Sequence, residues 1–311
     1  MSTGVGARAL GMGGAHVALF GDATSAYWNP AGLVMIHYPE IAAMHSRRFG
    51  GVINYDYLGF AVPFRARESL AISVLRLAVD DIPITALPRP NLDLGLTYTD
   101  EQGNILANRP YVVKTVNDAE YAFLMSYSRR HTQRFAYGVN AKFVHKGVGD
   151  HSAWGLGFDL AGLYRLYSDL TLGINFQDVT TTLLAWNTGR REHIAPTAKM
   201  GFSYPLALPF LNTTLLLAAD TDVRLEGRKS AAQANLGGVS FDFRFGGELA
   251  IARFIALRYG RDDLGYLTAG AGLRLPRLDL DYAFLSHDEF NATHRVSLRL
   301  RLEEAKFLRK K

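Results

Sequence analysis

Near its carboxy terminus the chain alternates two kinds of residue without a slip. Val296, Leu298, Leu300 and Leu302 fall in one register, and Arg295, Ser297, Arg299 and Arg301 in the other. A period of two places these sets on opposite faces of an extended strand. The pattern recurs upstream. Leu278, Leu280, Tyr282 and Phe284 alternate with Asp279, Asp281 and Ala283, and Phe241, Phe243 and Phe245 with Asp242 and Arg244. Tyr121, Phe123, Met125 and Tyr127 alternate with Ala122, Leu124, Ser126 and Ser128. No stretch approaches 18 consecutive apolar residues, so no helix of this chain spans a membrane. Many strands that each carry one apolar face fit a closed ring with those faces turned to lipid, where every backbone group is paired within the ring. The expected fold class is all-β, a transmembrane antiparallel β-barrel.

Strands are expected at about 39–47, 52–64, 69–79, 118–129, 134–146, 152–166, 169–178, 196–205, 211–223, 236–247, 251–260, 266–275, 277–286 and 293–302. That is about 14 strands, an even number as in single-chain bacterial barrels. The three long connectors, 80–117, 179–195 and 224–235, all follow odd-numbered strands, whereas those after even strands are short, such as Arg65 to Glu68 and Pro276 alone. Long loops on one side and short turns on the other are the habit of outer-membrane barrels. It puts both termini on the periplasmic side of a bacterial outer membrane, with membrane lipid as an obligatory partner.

Chemistry that needs other residue patterns is disfavoured. There are no cysteines, hence no disulfide, thiolate metal site or thiol nucleophile. The net charge of +5 is spread without a basic run, which argues against nucleic acid. Gly4, Gly6 and Ala9 mimic a dinucleotide fingerprint but follow no strand and open no βαβ unit. None of the nine histidines forms a His-x-x-x-His pair, so no metal is expected. Ser286, His287 and Asp288 are neighbours on an expected hairpin tip and cannot adopt the geometry of a triad. No catalytic residue and no cofactor are expected. Met1 to Gly14 lacks a basic start followed by an apolar core, whereas an exported barrel carries such a leader; a removed leader would reconcile the two.

Residues 1–38 do not read as membrane strand. They are rich in glycine and alanine, and Asp22 is placed to cap a short helix through Ala23 to Tyr27 that Asn29 and Pro30 end. A ring of about 14 strands leaves a lumen too wide for side chains alone to fill. The expected organisation is therefore a luminal plug over 1–38, a barrel over 39–302 and a basic periplasmic tail over 303–311, with Lys306, Arg309, Lys310 and Lys311 solvated. The plug motif is Gly11, Gly13, Gly14, Asn29, Pro30, Ala31 and Gly32. The run Arg8-Ala9-Leu10-Gly11-Met12-Gly13-Gly14-Ala15, followed by Asp22-Ala23 and Trp28-Asn29-Pro30-Ala31-Gly32-Leu33, resembles the amino-terminal signature of the PorV/PorQ family of outer-membrane barrels. That family is related to the FadL-type transporters, which share the Asn-Pro-Ala element. The resemblance implies a FadL-like barrel, and for PorV-like members an accessory or cargo-shuttle role in type IX protein secretion with a translocon or exported domain as partner. FadL-type members instead carry long-chain fatty acids or other hydrophobic ligands. The last strand departs from the pattern by ending in a polar tail.

Two further groups are singled out. Asp279, Asp281, Arg295, Arg299 and Arg301 are expected to face the lumen, either as a charge network that stiffens the wall and anchors the plug or as a selectivity lining. Loop 80–117, with Leu92, Leu94, Leu96 and Tyr98, either protects the barrel mouth or grips a partner.

Overall fold

The computed structural model describes residues 4–208, 212–225, 232–286 and 292–309. The ring consists of β1 (Glu40–Arg48), β2 (Ile53–Arg65), β3 (Glu68–Ala86), β4 (Tyr111–Arg130), β5 (Phe135–Val148), β6 (His151–Arg165), β7 (Thr171–Gln177, resuming as Thr182–Trp186), β8 (Arg191–Ile194, resuming as Thr197–Leu208), β9 (Thr213–Arg224), β10 (Val239–Ile251), β11 (Ile255–Arg261), β12 (Leu267–Arg274), β13 (Leu278–Leu285) and β14 (Thr293–Arg301). Each strand pairs antiparallel with the next, and β14 returns to β1 from Glu40↔Arg301 to Arg47↔His294. The sheet closes on itself through the pairing of β14 with β1.

The alternation sorts as the pattern demands. Leu58, Ile72, Met125 and Val296 are exposed on the outer face, while their neighbours Tyr57, Ala71, Leu124 and Arg295 are buried inside. One row of directly paired outward residues marks the upper limit of the apolar band. It runs His45, Asp56, Arg76, Tyr121, His145, Trp154 across β1 to β6. Within it His45 Nδ1 lies 2.7 Å from Asp56, Arg76 is 3.3 Å from the same carboxylate, and the His145 and Trp154 rings are 4.3 Å apart. Polar and amphipathic aromatic side chains belong at the boundary between hydrocarbon and head groups.

The strand boundaries differ from expectation in two places. β3 and β4 continue to Ala86 and from Tyr111, so most of loop 80–117 is a paired arm rather than a structureless connector, with its own small hairpin Thr97–Thr99 and Ile105–Ala107. Beyond the lipid both faces of a strand meet water, and alternation no longer marks it. The connector 179–195 likewise contains the resumed parts of β7 and β8. Of the third long connector, residues 226–231 lie outside the described residues, as do His287, Asp288, Lys310 and Lys311. Arg309 departs from the expected solvated tail: it donates to the carbonyls of Ile36, Arg65 and Glu68 and to Ser69 Oγ.

Candidate functional site

The inner surface meets residues 4–36. Here the chain forms two short helices, α1 (Ala7–Gly11) and α2 (Ser25–Trp28), and a 3-10 helix over Pro30–Met35. Asp22 is not the cap of α2, as the spacing suggested; that position is Thr24, whose backbone N–H donates to the Asp22 carboxylate at 2.9 Å. Asn29 does end α2 and caps the next helix, accepting from Ala31 N at 3.1 Å. Its Nδ2 donates to Val17 O at 2.9 Å and, across to β6, to Gly162 O at 3.1 Å. The asparagine is fully buried, and its amide is bonded at both ends.

The motif residues are closely packed. Gly13 has φ +66, and a methyl group there would run into the Arg261 backbone, while one on the facing Gly260 would run into Gly13 N. Two backbones can approach this closely only where neither carries a side chain. Gly11 faces Gly270 in the same manner, Gly14 lies against the Arg244 side chain, Pro30 and Ala31 sit over Gly138, and Gly32 rests on Phe20 and Ser25.

The five expected luminal charges do face inward, but they divide among three groups. Arg299 and Arg301 both pair with Asp279. Asp281 pairs with Arg258 of β11 at 2.7 Å. Arg295 points at the amino-terminal segment, donating to Gly4 O at 3.1 Å with its guanidinium over the Tyr55 ring. A larger hub went unforeseen. The buried Glu248 accepts from Arg8 at 2.9 Å, Arg258 at 2.6 Å and Arg274 at 2.6 Å. Around the wall Asp222 is paired with Lys199 and Arg244, both at 2.8 Å, and Asp220 accepts from His16 N and Val17 N. Charges taken from water must be paired in this way to persist. Burial, reinforced by the Arg8 guanidinium, pushes the His16 imidazole down to about 4.

The segment divides the lumen. Toward the short turns lies a cavity of about 470 Å³, bounded by Arg8, Asp22, Arg258, Asp279 and Arg299. Toward the long loops lies one of about 410 Å³, floored by Tyr27 and lined by Leu75, Leu124, Val144, Leu184 and Ile194 together with charged side chains such as Glu120, Lys142, Lys146 and Glu192. Its charged lining is largely paired, Lys146 with Glu120 at 2.6 Å and Lys142 with Asp178 at 2.6 Å. This upper cavity reaches an interruption in the wall. Gln177 pairs with Thr197 and Thr182 with Ile194, so residues 178–181 of β7 face only Ala195 and Pro196 of β8. Among the described residues no backbone hydrogen bond crosses there, and Pro196 has no N–H to offer.

The expected partner-loop residues lie on the arm outside the ring. Leu94 and Leu96 are exposed, whereas Leu92 is half-buried and Tyr98 lies half-buried beneath the Arg89 guanidinium. The buried Asn108 organises this tip by donating to Arg89 O and Leu92 O.

No protein-family profile and no curated protein matches this sequence. Solved structures match its fold along nearly the whole chain. The Ralstonia pickettii toluene transporter TbuX has a TM-score of 0.62 at 12% identity, covering 96% of this chain and 98% of its own. A Pseudomonas aeruginosa FadL homologue has 0.60 at 11%, covering 97% and 99%. The Pseudomonas putida toluene transporter TodX has 0.60 at 12%, covering 95% and 96%. The chain therefore shares its fold with FadL-type barrels.

Proposed function

We propose that this chain is an outer-membrane transporter of hydrophobic molecules, with both termini in the periplasm and residues 1–38 as its plug. A ligand enters the 410 Å³ upper cavity, meets Tyr27 of the plug, and leaves sideways into the membrane through the seam between β7 and β8. The observation that carries this reading is the junction of a cavity that sets a cluster of apolar side chains among paired charges with a stretch of wall that lacks backbone pairing between β7 and β8, at membrane depth. The cavity lies in the size range of small-molecule sites. The route also bypasses the Glu248 and Asp279 ion-pair clusters below the segment, which an apolar solute has no means to cross unaided. The fold shared with hydrocarbon transporters agrees with it. Candidate ligands are monoaromatic hydrocarbons and long-chain fatty acids.

The test is uptake of toluene and of a long-chain fatty acid by liposomes carrying the purified protein. Val144→Trp, which fills the cavity from the wall, should lower uptake of the transported class at least tenfold without unfolding the barrel. Uptake no faster than in protein-free liposomes for either class would sink the reading.

A second reading, a PorV/PorQ-like accessory of type IX secretion, rests on the amino-terminal signature and on the exposed leucines of the arm. The matched solved structures add nothing to it. Co-purification of the native protein with a secretion translocon or an exported cargo domain, lost on Leu94→Asp with Leu96→Asp, is its test.

A further inference from the structure

On the lipid side of the wall two adjacent rows of outward side chains bound a furrow. The lower row is Phe135, Tyr164, Leu172, Phe202, Ala219 and Phe245, each paired directly with the next across β5 to β10. The row above it holds Gly162, Ile174, Met200, Thr221 and Phe243. Between them lies the backbone of Leu163, Gly173, Gly201 and Asp220, whose side chains, where they have one, turn inward. Gly162, Ala219 and Thr221 are small, whereas Tyr164, Phe202, Phe243 and Phe245 are large and exposed. The furrow therefore deepens to a groove of about 720 Å³ with an almost wholly apolar lining.

The groove has a direction. Phe135 opens β5 at the short-turn end, whereas Phe245 lies six residues short of Ile251, where β10 reaches that end. Five steps between strands, about 4.8 Å each, make the groove roughly 24 Å long. With barrel strands tilted about 40°, it climbs roughly 15 Å, half of a hydrocarbon core about 30 Å thick. It runs from one head-group region to the middle of the bilayer. Its width suits a single hydrocarbon chain: successive outward rows stand about 7 Å apart, whereas a helix is about 10–12 Å across.

Cations gather at the lower end. The turns 129–135 and 165–170 carry Arg129, Arg130, Arg134 and Arg165 against one acid, Asp169. Arg130 reaches inward to Val34 O and Arg165 to the Phe20 ring, and Arg129 stands 4.0 Å from Glu68. Arg134 has no ion pair among the described residues, and its guanidinium lies 5.0 Å over the ring of the exposed Tyr167. Aromatic rings belong at the head-group boundary, and a guanidinium placed there matches the oxygens of a phosphate.

We propose that the groove is a phospholipid site. One hydrocarbon chain of a lipid from the leaflet at the short turns lies along it, and the lipid's phosphate rests on Arg134. The site stands whether or not the protein transports a solute.

Native mass spectrometry of the full chain released from detergent tests this, with phosphatidylglycerol as the probe. One lipid should stay bound at collision energies that strip any others. Gly162→Leu and Ala219→Phe each fill the groove, and a Cβ at Gly162 makes only ordinary contacts, 3.5 Å from Ile174 and from Phe135. Each variant should weaken that first binding about tenfold. Ala269→Leu, exposed on β12 and outside the groove, should not. Arg134→Gln should weaken phosphatidylglycerol about tenfold and leave a diacylglycerol with the same chains unchanged. Cold and boiled mobility in detergent gels checks that each barrel is intact. First binding untouched by both groove variants, or lost equally in Ala269→Leu, overturns the site. Groove variants that weaken binding while Arg134→Gln does not would overturn the phospholipid assignment. A dimer that Gly162→Leu and Ala219→Phe dissociate would give the groove to a second copy of the chain and overturn the proposal likewise.

Discussion

The amino-terminal segment is held by two unlike flanks. α1 packs against β11 to β14, where backbone meets backbone at Gly13 and Gly260 and three guanidinium groups converge on Glu248. α2 and the 3-10 helix face β3 to β7, where the contacts are mostly neutral: amides from Asn140, Asn175 and Gln177, Ser128 Oγ on Ala31 O, and Asn29 on Gly162 O, with Arg130 on Val34 O a charged donor to a neutral carbonyl. A buried carboxylate stripped of its partners, or the reverse, is far costlier than a neutral hydrogen bond exchanged for water. The first flank is therefore an anchor and the second is releasable. The unpaired seam in the wall lies beside the releasable one.

The largest effect should come from the anchor. Glu248→Ala leaves the buried Arg258 and the half-buried Arg8 and Arg274 around an empty position, and the expected loss is about 3–5 kcal/mol, read from the urea midpoint of the protein folded in vesicles. A loss under about 1 kcal/mol, the scale of an exposed pair, would remove the contrast between the flanks.

Acid should act next, through His16, which lies between the flanks against Trp28 with a ring separation of 5.6 Å. Its folded value of about 4 lies below the ordinary 6.5, so the docked segment keeps the imidazole neutral where the released segment would protonate it. Docking is at full strength above pH 6.5 and weakens as pH falls toward 4, by roughly 3 kcal/mol at most. The charged groups facing it are Arg8, Asp22, Asp220, Glu248 and Arg258, so the measurement is a difference. Exchange of residues 12–20, corrected for intrinsic rate, should rise between pH 7 and 4.5 in the parent and rise much less in His16→Gln. Equal rises in both would assign the effect to the carboxylates.

How much of this was legible in the sequence follows from the same physics. The ring was, because lipid outside and a packed lumen inside force period two onto each strand, as in Val296 to Leu302 and Tyr121 to Ser128. The extensions of β3 and β4 were not, because Ile82 to Ala86 and Tyr111 to Val116 meet water on both sides and carry no alternation. The tight motif glycines were visible as a cluster, but their partners Gly260, Gly270 and Gly138 look like any strand glycine until the ring brings them opposite. Charges posed the same difficulty. Asp279 and Arg299 are cross-strand neighbours and could be paired from register alone. Arg8 and Glu248 are 240 residues apart, and only closure makes them meet. The interruption of β7 left a faint mark, Asp178 through Thr181 followed later by Pro196, which reads equally well as a loop.

The smallest effect belongs to the releasable flank and tests the comparison most finely. Asn29 belongs to the motif read from the sequence, yet everything it touches is neutral: Val17 O, Gly162 O and Ala31 N. Asn29→Ala removes one cap and the bond to β6, and leaves two buried carbonyls for water or relaxation to satisfy. The expected cost is about 1–3 kcal/mol, below that of Glu248→Ala, with faster exchange confined to residues 25–36 and none gained in α1. Should α1 loosen equally, the segment docks as one rigid body, and the two flanks differ in chemistry but not in mobility. Should only the second flank loosen, the segment is hinged between them, and its mobile side is the one facing β7.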